Sequence, residues 1–134
     1  MDDRELIRRA FEARKKAYAP YSHFMVGAAL VTAGGTVYSG CNIENASYGA
    51  AMCAERTAFF AAAAAGERDF AAIVIAGGAE DEVMPLSGYA YPCGMCRQVM
   101  AEFAGPEFRI LVARSQDDVR EFTLGELLPE SFSL

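Results

Sequence analysis

Four residues in two short stretches have the types and spacing for metal-assisted hydrolysis. Cys93-Gly94-Met95-Cys96 is a Cys-x-x-Cys pair, and Cys53-Ala54-Glu55 sets a third thiol two residues from a carboxylate. Residues three apart share a helix face, so a helix opening at Cys93 would aim both its thiols at one ion. The partial positive charge of a helix N-terminus favours the ligating thiolate. Residues two apart do not share a face, but helical side chains tilt toward the N-terminus. Cys53 and Glu55 therefore reach one centre if it lies just beyond the start of their helix. Three thiolates on Zn²⁺ leave one tetrahedral position for water, the mark of a catalytic rather than a structural site. Glu55 is then the candidate proton carrier. Arg56, next to it, could offset the thiolate charge by donating to a ligating sulfur.

The elements that must position these groups read as follows. Asp2 and Asp3 can cap a helix over about 2–17, with apolar residues recurring at Leu6, Ala10, Ala13 and Ala17 and at Ile7 and Phe11. Pro20 bars its continuation. Residues 25–32 and 36–43 read as a strand pair turned at Gly34-Gly35, followed by a polar loop with Asn42, Glu44, Asn45 and Ser47. The alanine-rich stretch 51–65 predicts a helix with Gly66 as its C-terminal cap. A buried strand over 70–76 ends at Gly77-Gly78, and a loop over 79–91 carries the acidic cluster Glu80-Asp81-Glu82. Pro92 introduces a helix over about 93–103. Strands at 108–113 and 119–123 and a helical turn at 124–128 complete the order α-β-β-α-β-α-β-β. Hairpin-linked strands mixed with crossover helices predict a mixed sheet covered by helices on both faces.

The 134 residues suit a single domain spanning 1–134, and 53% hydrophobic with 22% charged residues is ordinary globular composition. No run long and apolar enough for a membrane span stands out, and the start Met-Asp-Asp-Arg-Glu is unlike a secretory signal, so a cytoplasmic location is expected. The formal charge of −6 lacks the basic footprint of a nucleic-acid binder and favours a small substrate.

A Cys- or His-x-Glu followed later by Pro-Cys-x-x-Cys is the signature of zinc deaminases, and here it reads Cys53-Ala54-Glu55 and Pro92-Cys93-Gly94-Met95-Cys96. The match extends to Ala19-Pro20-Tyr21-Ser22-His23-Phe24 through Leu30, to Gly40-Cys41-Asn42-Ile43-Glu44-Asn45-Ala46-Ser47-Tyr48, to Arg97-Gln98 and to Glu126-Leu127-Leu128-Pro129. In these blocks the chain resembles the homotetrameric zinc-dependent cytidine deaminases over almost its whole length.

The resemblance implies a three-layer α/β/α sandwich with a mixed five-stranded sheet and one Zn²⁺ per subunit, held by Cys53, Cys93 and Cys96. It implies that zinc-activated water, with Glu55 shuttling protons, converts cytidine and 2′-deoxycytidine to uridine and 2′-deoxyuridine plus ammonia, in pyrimidine salvage. It also implies that Asn42 and Glu44 hold the ribose hydroxyls and that Phe24 packs on the pyrimidine. The Ala54 backbone would contact the base, and Arg56 would balance the thiolates. Tyr48 and Phe132 would reach sites on neighbouring subunits of a homotetramer.

Two departures stand out. Tyr91 replaces the small Ser or Thr that often precedes Pro-Cys, and the loop 78–91 is long and acidic; either could alter the site entrance. His23 is expected to be exposed. Alternatives from the residues themselves are a redox Cys-x-x-Cys pair, a structural four-cysteine site completed by Cys41, and a polar turn formed by Asn42 and Glu44. Related chemistries are a blasticidin S deaminase and an RNA or DNA base deaminase; a zinc module without enzymatic activity is the rival from another class.

Overall fold

A computed structural model describes residues 1–134. Helix α1 (Asp3–Arg14) opens on Asp2, whose carboxylate accepts from the Glu5 N–H at 2.8 Å. The helix ends three residues before the expected Ala17. The cause is tertiary: the Tyr18 N–H donates to Asn42 O and the Tyr18 carbonyl accepts from Glu44 N–H. That pairing pulls the chain out of helical conformation. Strands β1 (Phe24–Thr32) and β2 (Val37–Cys41) form the expected hairpin, with Gly35 at φ +95° in the turn.

A single 3₁₀ turn (Tyr48–Ala50) precedes α2 (Ala54–Ala64), which starts later than the expected residue 51. Met52 and Ile43 exchange both backbone hydrogen bonds, at 2.8 and 2.9 Å, and so hold the approach extended up to Cys53. Strand β3 (Phe70–Ala79) runs through Gly77-Gly78 instead of stopping there, because both glycines pair with β1. Helix α3 (Gly94–Phe103), strands β4 (Arg109–Ala113) and β5 (Val119–Thr123), and the short α4 (Leu124–Leu127) follow.

The sheet order is β2-β1-β3-β4-β5, with β3 and β4 parallel and the other neighbours antiparallel. The central strands are buried on both faces, so their sequences read as continuous apolar runs. Alternate residues serve different layers. Ala29, Val31, Val74 and Leu111 meet Leu6, Ile7, Ala10 and Phe11 of α1 on one face. Leu30, Ile73, Ile75 and Ile110 meet Ala58, Phe59 and Met100 of α2 and α3, and Leu124 of α4, on the other. The result is the expected three-layer α/β/α sandwich. No helix is long and apolar enough to cross a membrane.

This topology fixes where chemistry can occur. Strands β2 and β3 both run antiparallel to β1, so they point the same way. The helices that follow them, α2 and α3, thus begin at the same end of the sheet. Ligand sites in open α/β sheets lie outside such strand ends. Gly40 seats α2 close: a Cβ there would stand 2.4 Å from Ala54 O and 2.5 Å from Ala58 N. Thr57 adds a latch, its hydroxyl donating to Cys41 O at 2.9 Å.

Candidate metal centre and active site

Cys53 and Cys93 are the N-cap residues of α2 and α3, both with extended backbone, and neither side chain caps its own helix. Each thiol is therefore free to point past the helix end. Cys96 lies in the first turn of α3 and is buried. The three Sγ atoms lie within 4.8 Å of one another, and Cys53 Sγ and Cys93 Sγ are 3.9 Å apart. A tetrahedral ion with Zn–S bonds of about 2.3 Å needs S–S edges of about 3.8 Å. The donor set fits zinc. Cys41, at the end of β2, lies outside this cluster, which leaves three protein ligands rather than four.

The surroundings of the thiols are arranged for negative charge. Arg56 Nη2 donates to Cys53 Sγ at 3.4 Å. The Cys53 thiol is lowered to about 5, by hydrogen bonding from Cys96 and then from Arg56 against the cost of burial. Cys96 shifts the opposite way, pushed up by its bond to Cys53 and by burial. A bound ion would need all three sulfurs as thiolates, the ligating form.

Glu55 is in the first turn of α2 and only 5% exposed. Burial raises its carboxyl to about 7, with the neighbouring Cys53 charge adding to the shift. Desolvation of this kind places a carboxylate where it can both take and return a proton near neutral pH. Ala54, wholly buried, starts the helix between the metal ligand and the acid.

These groups line a cavity of about 530 Å³. Its deep end is the buried Ala54 and Glu55 with Cys53 and Arg56 beside them, the exposed Cys93 also lines it, and its open end includes Phe24, Asn42, Glu44 and Tyr48. Asn42 Oδ1 accepts from Val26 N–H and its Nδ2 donates to Phe24 O, both at 2.8 Å. One amide N–H is left over. The Glu44 carboxylate accepts from the backbone N–H of Tyr21 at 3.0 Å and of Ser22 at 3.1 Å, and from the Ser22 hydroxyl. The Ser22 bonds hold its carboxyl below the ordinary range. Three of about four acceptor positions are used, so one remains for a ligand.

Phe24 is 43% exposed and Tyr48 84% exposed at the rim. Phe132 is also exposed and is not among the residues lining this cavity; its carbonyl accepts from Gln98 Nε2 at 3.0 Å. Of the 78–91 loop, Ala90 and Tyr91 reach the cavity but the acidic cluster does not. Glu82 instead folds back onto the Ala79 and Ser87 N–H groups. His23 is exposed as expected and lies 3.2 Å from Glu80, with its backbone at φ 58°.

The pattern of the cytidine and deoxycytidylate deaminase zinc-binding region matches residues 1–112. This chain belongs to the cytidine and deoxycytidylate deaminase family. A cytidine deaminase of Halalkalibacterium halodurans is 47% identical over 99% of this chain and 96% of its own length. One of Sporosarcina psychrophila is 45% identical over 99% and 93%. The crystal structure of a cytidine deaminase from Burkholderia pseudomallei superposes with a TM-score of 0.88 at 51% identity, covering 98% of this chain and all of that one. Within this zinc-binding family, the Cys53–Cys93–Cys96 cluster is the group of side chains that fits one zinc ion.

The positioning roles of two arginines escaped the sequence reading. Arg97 donates from Nε to Pro92 O and from Nη1 to Leu127 O, both at 2.8 Å, and so ties the residue before Cys93 to α4. Arg14 is buried, and its guanidinium donates to Met25, Gly78, Ala79 and Glu82 carbonyls. The available signal was its position: an arginine on the inward stripe of α1, three residues after Phe11 and seven after Ile7.

Proposed function

We propose that this chain hydrolytically deaminates cytidine and 2′-deoxycytidine, consuming one water and releasing uridine or 2′-deoxyuridine and one ammonia. The observation that carries the reading is a buried Glu55, its carboxyl raised by burial, beside three convergent thiols, two of which line a cavity with free ribose-type hydrogen-bonding groups at its mouth. The family relatives named cytidine deaminase support the same substrate.

Cys53, Cys93 and Cys96 would hold the zinc, which when bound would lower the pKa of a coordinated water. Glu55 accepts a proton from the attacking water and delivers it to N3 as C4 is attacked. It then carries the second proton to the departing amine. Arg56 keeps Cys53 anionic through its hydrogen bond. The Ala54 backbone contacts the base edge, and Phe24 packs on its face. Glu44 accepts from one ribose hydroxyl with its remaining lone pair, and the spare Asn42 N–H donates to the other.

Tyr48 and Phe132 serve the sites of neighbouring subunits in a homotetramer. The exposure of both side chains and the absence of Phe132 from its own chain's cavity support this. We place the enzyme in cytoplasmic pyrimidine salvage. The decisive experiment follows cytidine by ultraviolet absorbance on protein whose zinc has been measured, with blasticidin S in parallel. Ammonia release from cytidine at one zinc per chain is expected. Zinc-loaded protein that leaves cytidine intact, or prefers blasticidin S, would overturn the reading.

A further inference from the structure

Among the cavity residues that the mechanism does not use is Tyr91, which lines the cavity with Cys93, Met95 and Glu55 and stands two residues ahead of a metal ligand. Its ring is fixed from outside the cavity. Arg120, on edge strand β5, donates to the Tyr91 hydroxyl. Phe122, on the same strand, meets the Tyr91 ring edge-on, with centroids 5.9 Å apart and planes at 67°. Tyr89 lies at 6.2 Å.

The brace is itself held. Arg120 sits over the Tyr89 ring, 4.0 Å from its centroid. The Tyr89 hydroxyl donates to Asp118, and Asp118 pairs with Arg114 at 2.8 Å. Arg114 also donates to Leu86 O at 2.6 Å, which closes the network onto the loop that carries Tyr91. Arg120, Phe122, Tyr89 and Asp118 are all absent from the cavity lining. Tyr91 is 43% exposed, so it is these contacts that hold the ring, and swinging it aside for a larger ligand gives up a charge-assisted hydrogen bond and aromatic contacts.

We propose that Tyr91, braced by Arg120 and Phe122, is a specificity-determining residue that closes the metal-proximal side of the cavity to cytidines substituted at C5 or on the exocyclic amine. The inference rests on the function proposed above. For attack at C4, the C4 edge of the pyrimidine must lie at the metal, so C5 and the exocyclic nitrogen are the substrate positions nearest the wall that leads into Cys93. One added methyl group against a fixed wall shifts selectivity by about tenfold or more.

The test compares kcat/KM for cytidine, 5-methylcytidine and N4-methylcytidine in the native enzyme, Tyr91→Ser and Arg120→Met, each checked for zinc content and thermal midpoint. Tyr91→Ser should raise the ratio of at least one methylated substrate to cytidine by about tenfold. Arg120→Met, which frees the ring without entering the cavity, should move the same ratio in the same direction by less; it carries the test if Tyr91→Ser does not fold. General loosening would lower all three substrates together and leave the ratios unchanged. Ratios within about twofold of native in every folded variant overturn the proposal, given the roughly tenfold effect expected of one methyl group. Native enzyme inert toward cytidine would instead overturn the functional reading beneath it.

Discussion

The two ends of the cavity are built differently. At the deep end, Cys53 and Glu55 sit at the start of α2, pressed against the sheet, and Glu55 is almost sealed from solvent. At the open end, Asn42, Glu44, Phe24 and Tyr48 come from strand ends and loops; Phe24 and Tyr48 are exposed and Asn42 and Glu44 half-buried. Burial at the deep end raises the Glu55 carboxyl to about 7. The open end leaves its carboxylate strongly ionised and merely orients it through local hydrogen bonds. Chemistry needs a desolvated, rigid setting, while recognition of a sugar needs only groups held at fixed positions with capacity to spare.

The comparison can be broken most sharply at Glu55. Glu55→Gln should keep zinc and nucleoside binding but lower kcat by about 10²–10⁴-fold. Near-native kcat in zinc-loaded protein would remove the carboxylate from the proton transfers. Next comes Arg56→Ala, which removes the donor to Cys53 Sγ and should weaken zinc binding by about 10–100-fold, read by competition with a chelator. Unchanged zinc affinity would mean that the helix ends alone stabilise the thiolates.

At the open end, Glu44→Gln should raise KM by about tenfold, a loss of one good hydrogen bond to a charged acceptor, with kcat little changed. An equal fall in kcat would show that the open end takes part in the chemistry and erase the distinction. The smallest effect belongs to the loop outside both ends. Hydrogen bonds from Ser87, and then from the Ala79 N–H, hold Glu82 below the ordinary carboxylate range. A carboxyl depressed in the folded state stabilises above its unfolded pKa, and that contribution fades as pH falls through the folded value. Glu82→Gln should therefore lower the denaturation midpoint at pH 7 and match native protein in strong acid. A deficit constant with pH would assign the effect to shape rather than charge.

The same division explains what was legible in the sequence. The spacing of Cys53, Glu55, Cys93 and Cys96 encodes the deep end, because three thiols and a carboxylate near two helix starts have few other uses. The continuous apolar runs of the buried strands likewise announced the sheet. The ends of α1, α2 and β3 were misplaced because partners distant in sequence decide them: Tyr18 with Asn42 and Glu44, Met52 with Ile43, Gly77-Gly78 with β1. Roles at the open end could be read only through family resemblance, since an Asn and a Glu in a polar loop look like a turn. Nor did local pattern reveal that Arg14 gathers four carbonyls or that Tyr91 is gripped from a neighbouring strand, because both arrangements are assembled by the tertiary fold.

Three thiols within 4.8 Å of one another also make an oxidation hazard. Cys53 Sγ and Cys93 Sγ need to close from 3.9 Å to about 2.05 Å to become a disulfide, at the cost of two electrons to an oxidant such as peroxide. A bound zinc ion would occupy the lone pairs that would otherwise attack, and so would act as a protecting group as well as a reagent. Stripping zinc in the presence of peroxide should leave a protein that added zinc alone cannot revive but that thiol reductant followed by zinc can. A free-thiol count falling from four to two would register the change. Zinc scarcity under oxidative stress would then switch the enzyme off by a route that proceeds through its own ligands.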